Sequence, residues 1–515
     1  MTQPIYPVWT FITNSYNLTL DMNTKIFAIT ARAIICLCFL LLPGMGWAAD
    51  EWQSLFNGKD LTGWKASENQ GSFKVVDGTI AFDGNRSHLF YVGEVQHADF
   101  KNFELKVDVL TRPLANSGIY FHTEFQERDF PKQGFEAQIA NSHVGGGDYV
   151  EMKKTGSLYG YRNLYKALVK DNEWFTLHIT VRGKRIQIRL NDLLVVDYVE
   201  PENPATDPSR PGRRLSHGTF ALQGHDPGSK VFFKNIQVKP LPDHLPDYPD
   251  GPVRFDAVDE QIVKLSTANY PLVDFHTHLK GGLTVGQVMQ HTFKTGINHG
   301  VVANCGLGFA ITNDAGIDDF LKSMAGQPVF VGMQAEGREW PRLFSPAAVA
   351  RFDYVFTDSM TISDHNGKRT RLWINEEVSI PDKQAFMDHL VDTAVKILNE
   401  EPVDIYVNPT FLPEIIAREY DTLWTAARMQ RVIDAARRND VAIELNSRYR
   451  LPSLEFVKLA KQAGLKFTLG INNTDANLGR AEYGLEMIRE CGLGYKDFWM
   501  PKPEGQKPVQ KKHRL

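Results

Sequence analysis

Asp274-Phe275-His276-Thr277-His278 closes the apolar run Tyr270-Pro271-Leu272-Val273. Side chains alternate faces along a strand, so His276 and His278 point the same way, roughly 6–7 Å apart by the strand rise. Phe275 and Thr277 face the other side. Neutral imidazole ligates divalent transition metals well, which makes the pair a natural start for a metal site. The same spacing also suits a surface pair following a core strand, so both readings stand at this point. A second pattern lies in the first half of the chain. Glu136 and Gln138 share one strand face, with Ala137 and Ile139 on the other, and Gln223 with His225 repeats the spacing. A sheet face carrying Glu, Gln, His and Tyr where apolar residues are the norm implies a wet, concave surface for a polar ligand.

The elements that must position these groups differ between the two halves. Residues 52–240 read as all-β: short runs such as Phe103-Glu104-Leu105-Lys106-Val107-Asp108-Val109, Gly118-Ile119-Tyr120-Phe121 and Phe175 to Val181 recur between turn residues. Many short strands with almost no helical period predict a β-sandwich or jelly roll. A Pro- and Asp-rich stretch, 241–262, then reads as a semi-rigid linker that holds the halves as spaced units. On that expectation, activity of the first half survives removal of everything after Pro240. From 263 to about 500, apolar runs (Gly300 to Ala303, Val329 to Gly332, Val403 to Val407, Val441 to Leu445, Phe467 to Gly470) alternate with helical stretches. That alternation predicts an α/β domain, a βα barrel with its site at the C-terminal strand ends. His276, His278, Glu336, Asn408, Glu444 and Asp475 all fall at or just beyond such ends.

A chain of 515 residues with a net charge of -4 has room for several domains and is a poor match for a general nucleic-acid binder. Lys25 and Arg32 precede the apolar run Ala33 to Leu42, and Gly46-Trp47-Ala48 offers small residues for cleavage. Residues 1–49 therefore read as an extension plus signal peptide cut near Ala48, with Met22 a more natural start than Met1. The run is too short for a comfortable membrane span. The expected destination is the periplasm or the exterior. Cys36 and Cys38 leave with that segment, and Cys305 and Cys491 read as separate thiols. The basic end, 501–515, reads as a disordered tail. His122, His143 and His217 read as ordinary surface or loop histidines.

Two family resemblances sharpen these readings. Trp52 to Trp64, Ser117 to Phe121, Gly134 to Ile139, Gly156-Ser157-Leu158-Tyr159-Gly160 and Ala221-Leu222-Gln223-Gly224-His225 resemble the 3-keto-disaccharide hydrolase domain, a concanavalin-like sandwich. The resemblance implies cleavage of glycosides already oxidised at C3, where a base removes the acidified C2 proton and the C1 substituent leaves. Glu136 is then the base candidate and His225 the electrophile candidate, with a divalent metal near it as a further possibility. Gln138, Tyr159 and Gln223 are candidates for holding sugar. A carbohydrate-binding module that only grips its ligand is the alternative.

Asp274 to His278, Asp353-Tyr354-Val355, Glu444-Leu445-Asn446-Ser447 and Gly470 to Asn477 resemble the polymerase-and-histidinol-phosphatase domain, a distorted βα barrel of metal-dependent phosphoesterases. That resemblance implies His276, His278, Glu336 and Asp475 as ligands of one divalent metal, Zn or Mn, with Asn408, Glu444 and Asn446 facing the substrate. Cys305, Met360, Asn408 and Asn477 stand where the family has histidines, and His365 is a candidate replacement ligand. An amidohydrolase-type barrel, or a degenerate barrel without activity, are the alternatives. In the leading reading the chain is an exported hydrolase or lyase of carbohydrates. In the runner-up the sandwich holds a glycan and the barrel hydrolyses it.

Overall fold

The computed structural model describes residues 51–205, 210–243, 252–363 and 367–511. The proposed signal segment and His365 lie outside the described residues. Residues Gln53–Pro240 form two antiparallel sheets. The larger, eight-stranded sheet runs in the order Leu193–Val199, Arg185–Leu190, Phe175–Arg182, Phe103–Thr111, Lys230–Pro240, Thr79–Asp83, Phe73–Val76, with Gln53–Ser54 paired to Lys230–Pro240. Phe103–Thr111 shows why: buried and half-exposed side chains alternate without a break, the signature of a strand with one wet face. The smaller sheet runs Trp64–Ala66, Ser87–Tyr91, Thr219–Gly224, Ser117–Thr123, Phe135–Ile139. Its strands from Ser87–Tyr91 onward are buried on both faces. One face packs on the larger sheet through Leu89, Ile119, Phe121, Ala137 and Leu222. The other face carries the polar residues.

A closed barrel of seven parallel strands follows: Val273–Thr277, Asn298–Cys305, Phe330–Ala335, Tyr354–Thr357, Ile405–Tyr406, Ala442–Asn446 and Phe467–Gly470. Helices such as Val285–Thr295, Lys383–Glu400, Ala426–Arg438 and Leu454–Gln462 lie between them in sequence. Cys305 and Cys491 are free thiols. Among the described residues no helix is long and apolar enough to cross a membrane.

Three expectations need correction. The expected linker ends early, because Asp256 caps a helix Ala257–Thr267 by accepting from the amides of Val258 and Asp259. That helix buries Ile262 in the barrel core and Val263 in the sandwich core, so it belongs to both halves. The halves are accordingly packed together rather than spaced. The Arg162 guanidinium donates to the carbonyls of Phe293 (2.8 Å) and Lys294 (2.7 Å), at the C-terminal end of Val285–Thr295 where a cation is favoured. Lys166 Nζ donates to Val329 O (2.9 Å) and pairs with Asp353 (2.8 Å), Tyr165 Oη donates to Tyr270 O (2.8 Å), and Asn298 Nδ2 donates to Asn163 O (2.8 Å). Tyr270, Asn298, Val329 and Asp353 all sit at or just before the starts of barrel strands. The sandwich therefore closes the N-terminal end of the barrel. The basic tail is not disordered up to residue 511: Val509, in the helix Pro508–Lys511, is buried, and Lys507 Nζ donates to Ala350 O (2.6 Å) and Phe352 O (2.8 Å).

Candidate functional site

Strand register assembles the polar face of the sandwich. His88 pairs with Gln223, Ala221 with Tyr120, Tyr120 with Glu136, and Gly118 with Gln138. Because direct cross-strand partners share a face, His88, Gln223, Tyr120, Glu136 and Gln138 converge from four neighbouring strands. Gly118 matters here: a Cβ at that position would lie 2.6 Å from Glu136 Oε1, so the missing side chain is the space into which the carboxylate leans. Leaning there, Glu136 Oε1 accepts from Gln223 Nε2 at 3.1 Å, while Oε2 faces Arg213 Nη2 at 3.4 Å. Gln223 Nε2 also reaches Tyr120 Oη at 3.1 Å, and the Arg213 guanidinium lies over the Tyr120 ring, 5.0 Å from its centroid. Burial first, and the Glu136 charge second, push the Tyr120 hydroxyl well above the ordinary phenol range, so it keeps its proton.

A cleft of about 700 Å³ opens over this row. It is lined by Glu136, Gln138, Tyr159, Gln223 and His225 together, with Tyr120, Phe130, Glu151 and Arg213 among the remaining walls. His225 stands half-buried at its edge; Nδ1 lies 2.8 Å from Asp226 Oδ2 and the ring packs against Phe130. A carboxylate acceptor on Nδ1 fixes the tautomer and turns the other ring nitrogen outward. Gln138 pairs its amide with that of Asn116 at 3.1 Å.

The barrel residues meet a different fate. His276 is buried; Nδ1 lies 2.5 Å from Glu444 Oε1, and Nε2 has no partner. An ionised carboxylate only accepts, so Nδ1 carries a proton. Glu444 Oε2 accepts from the Asn408 amide (2.7 Å) and Asn446 Nδ2 (2.9 Å), and Asn408 Oδ1 accepts from Asn446 Nδ2 (2.9 Å) and Asn472 Nδ2 (3.0 Å). His278 lies beside His276, ring centroids 5.2 Å apart. Glu336 accepts from Asn304 Nδ2 and Gln334 Nε2, both at 2.9 Å. Burial, then the neighbouring Asp358, pushes the Glu336 carboxyl up to about 8, so it holds its proton at neutral pH. Asp475 is exposed, and its carboxylate accepts from the Asn477 amide in its own turn (2.8 Å). Among the described residues no three His, Cys, Asp or Glu side chains form a metal-holding group. Of the expected ligands, His276, His278 and Glu336 are buried, whereas Asp475 faces solvent.

Residues 51–239 match the 3-keto-alpha-glucoside-1,2-lyase-like domain. That match covers the sandwich and stops before the barrel. Among solved structures, a putative glycosyl hydrolase from Parabacteroides distasonis is 25% identical, covering 37% of this chain and 94% of its own, with a TM-score of 0.33. A carbohydrate binding module from Bacillus subtilis is 15% identical over 34% of this chain and 95% of its own (TM-score 0.24). A histidinol phosphate phosphatase from Lactococcus lactis is 12% identical over 47% of this chain and 98% of its own (TM-score 0.33). No curated protein matches the chain.

Within the sandwich, two residues beside Glu136 carry no signal in the sequence. Arg213 comes from an irregular loop, and His88 is found only through its register with Gln223. His88 is fully buried with both ring nitrogens unpartnered, edge-on to Tyr120 and Phe130. Burial first, then the Arg86, His225 and Arg213 charges, lowers it to about 3, so it is neutral throughout the ordinary pH range. His122 is also no surface residue: it is buried in Ser117–Thr123, 2.9 Å from Lys101 O through Nε2 and accepting from the Ser216 amide (3.1 Å) through Nδ1. His143 is partly buried and His217 exposed, as expected. An unfolded chain protonates His88 below pH 6.5 while the folded one does not. Folding stability is therefore expected to fall as the pH drops from 6.5 towards 3. Thermal melts of His88→Phe should show a shallower loss between pH 7 and 5; an unchanged slope would place the acid sensitivity elsewhere.

Proposed function

We propose that the lyase-like domain cleaves 3-keto-glycosides by elimination, with Glu136 as general base. The supporting observation is one buried carboxylate, seated over Gly118 and held by Gln223 and Arg213, inside a cleft whose edge carries an oriented imidazole. A C3 ketone acidifies the C2 proton. Glu136 takes that proton, the C2 electron pair forms the C1–C2 double bond, and the C1 oxygen departs as an alcohol with a proton returned from the acid so formed. Water then adds to the unsaturated sugar. His225, with Tyr120 and Arg213 as further donors, stabilises the negative charge that gathers on the keto oxygen. Gln138, Tyr159 and Gln223 hold the sugar hydroxyls. The test is NMR of the full chain with a 3-keto-α-glucoside in heavy water. Loss of the C2 proton signal together with release of the aglycone is expected; tight binding without either leaves a binding module.

For the barrel we propose a non-catalytic role, favoured by the outward-facing Asp475. The docking geometry also weighs against a sandwich that hands its glycan to the barrel. His276, Glu336, Asn408 and Glu444 stand at C-terminal strand ends, whereas the sandwich closes the N-terminal end. Export rests on Lys25 to Ala48 and belongs to the same proposal.

A further inference from the structure

One wall of the sandwich cleft is hydrogen-bonded to Asn269, in the segment that leads into the barrel. Glu151, Tyr149 and Tyr159 line the cleft. Tyr149 Oη donates to Glu151 Oε2 at 2.8 Å, and Tyr159 Oη lies 3.4 Å from the same oxygen. Behind them sits Lys153, whose side chain is 1% exposed. Its backbone amide donates to Glu151 Oε1 (2.9 Å), and its ammonium stands 3.6 Å from that oxygen and 4.5 Å from the centre of the Tyr159 ring. The ammonium donates its short hydrogen bond to Asn269 Oδ1, at 2.7 Å. Asn269 is not a sandwich residue: it follows the helix Ala257–Thr267 and leads into the first barrel strand. Its Nδ2 donates back to Val150 O at 2.6 Å.

Asn269 therefore grips both flanks of Glu151, the carbonyl before it and the lysine after it. A buried ammonium is costly unless well satisfied, and beside the longer Glu151 contact Asn269 supplies its shortest hydrogen bond, so loss of that amide loosens the lysine. Asn269 can serve because its φ is +70°, the left-handed position after a helix that Asn tolerates and most residues do not.

We infer that Asn269 is a positioning residue for the sandwich cleft, so that the barrel completes the site of its neighbour. It fixes Lys153 and Val150, these fix Glu151, and Glu151 fixes the two tyrosines that meet the sugar. The part concerning sugar rests on the function proposed above; the ordering of the wall does not.

The test uses the full chain with Asn269→Gly, which keeps the left-handed backbone and deletes only the amide. Hydrogen exchange at residues 149–154 is expected to accelerate about tenfold or more, with the rest of the sandwich unchanged. With 4-nitrophenyl 3-keto-α-glucoside, KM should rise about tenfold at nearly constant kcat, since Glu136 is untouched. Lys153→Met should reproduce both effects, and Asn269→Asp, which still accepts from Lys153, should restore most of the affinity. Exchange that stays at the wild-type rate, or that rises equally over the whole chain, overturns the inference. So does faster exchange with an unchanged KM. If the wild-type chain cleaves no 3-keto-glucoside, the proposed function falls, and the exchange measurement alone decides the role of Asn269.

Discussion

Glu136→Gln is expected to lower 3-keto-glycoside cleavage by about 10²–10⁴-fold, the usual contribution of a positioned general base. Gln matches Glu in shape but takes no proton near neutrality. The variant should also fold. The Gly118 recess accepts the same outline, and the amide oxygen can still accept from Gln223. Arg213 loses an ionic partner but retains the Gly134 carbonyl at 3.4 Å and the Tyr120 face. Rate and melting temperature measured on one preparation decide the matter. A melting point within a few degrees of wild type, together with full activity, would exclude Glu136 as the base. Gly118→Ala offers a complementary check, since its methyl group would push the carboxylate from its seat.

Cutting the chain after Pro240 is expected to cost the sandwich much of its stability, contrary to what the Pro-rich stretch suggests on its own. The helix Ala257–Thr267 places Val263 in the sandwich core, and burying such a side chain contributes roughly 1.5–3 kcal/mol. Each kcal/mol shifts the melting point by about 2–4 °C in a domain of this size. Losing Val263 alone thus predicts a drop of about 3–12 °C. Stripping the partners from Lys153, Arg162 and Tyr165 adds to it. A longer fragment, ending after Tyr270, keeps the helix and Asn269 and should recover most of the loss. Equal melting points for the two fragments would return the domain boundary to Pro240.

Much of this architecture was legible because strands advertise themselves through period two. Phe103–Thr111 and Phe135–Ile139 announce both their form and the face each side chain takes, and that is how Glu136 and Gln138 are found. Reading across strands is another matter. His88 and Tyr120 join Glu136 through antiparallel register, which no local window contains, and Arg213 arrives on a loop without any period. The barrel shows the opposite failure. His276, Glu336 and Asp475 sit near the strand ends where such residues should be, yet proximity to a strand end does not fix direction, and Asp475 turns to solvent. The Pro-rich stretch misled for a related reason: composition reports stiffness, while the packing of the halves is set by Arg162, Asn163, Tyr165 and Lys166, scattered polar residues of one loop.

That loop also sets a timetable for the newborn chain. The ribosome releases the sandwich strands first, but Lys166 meets Asp353 across 187 residues of sequence. At about 5–20 residues per second, the loop waits roughly 10–40 s for its last partner. Within that interval Arg162 waits for the helix-end carbonyls of Phe293 and Lys294, and Lys166 for the Val329 carbonyl and then Asp353. A folding helper has that window in which to act. It closes when the fourth barrel strand is made.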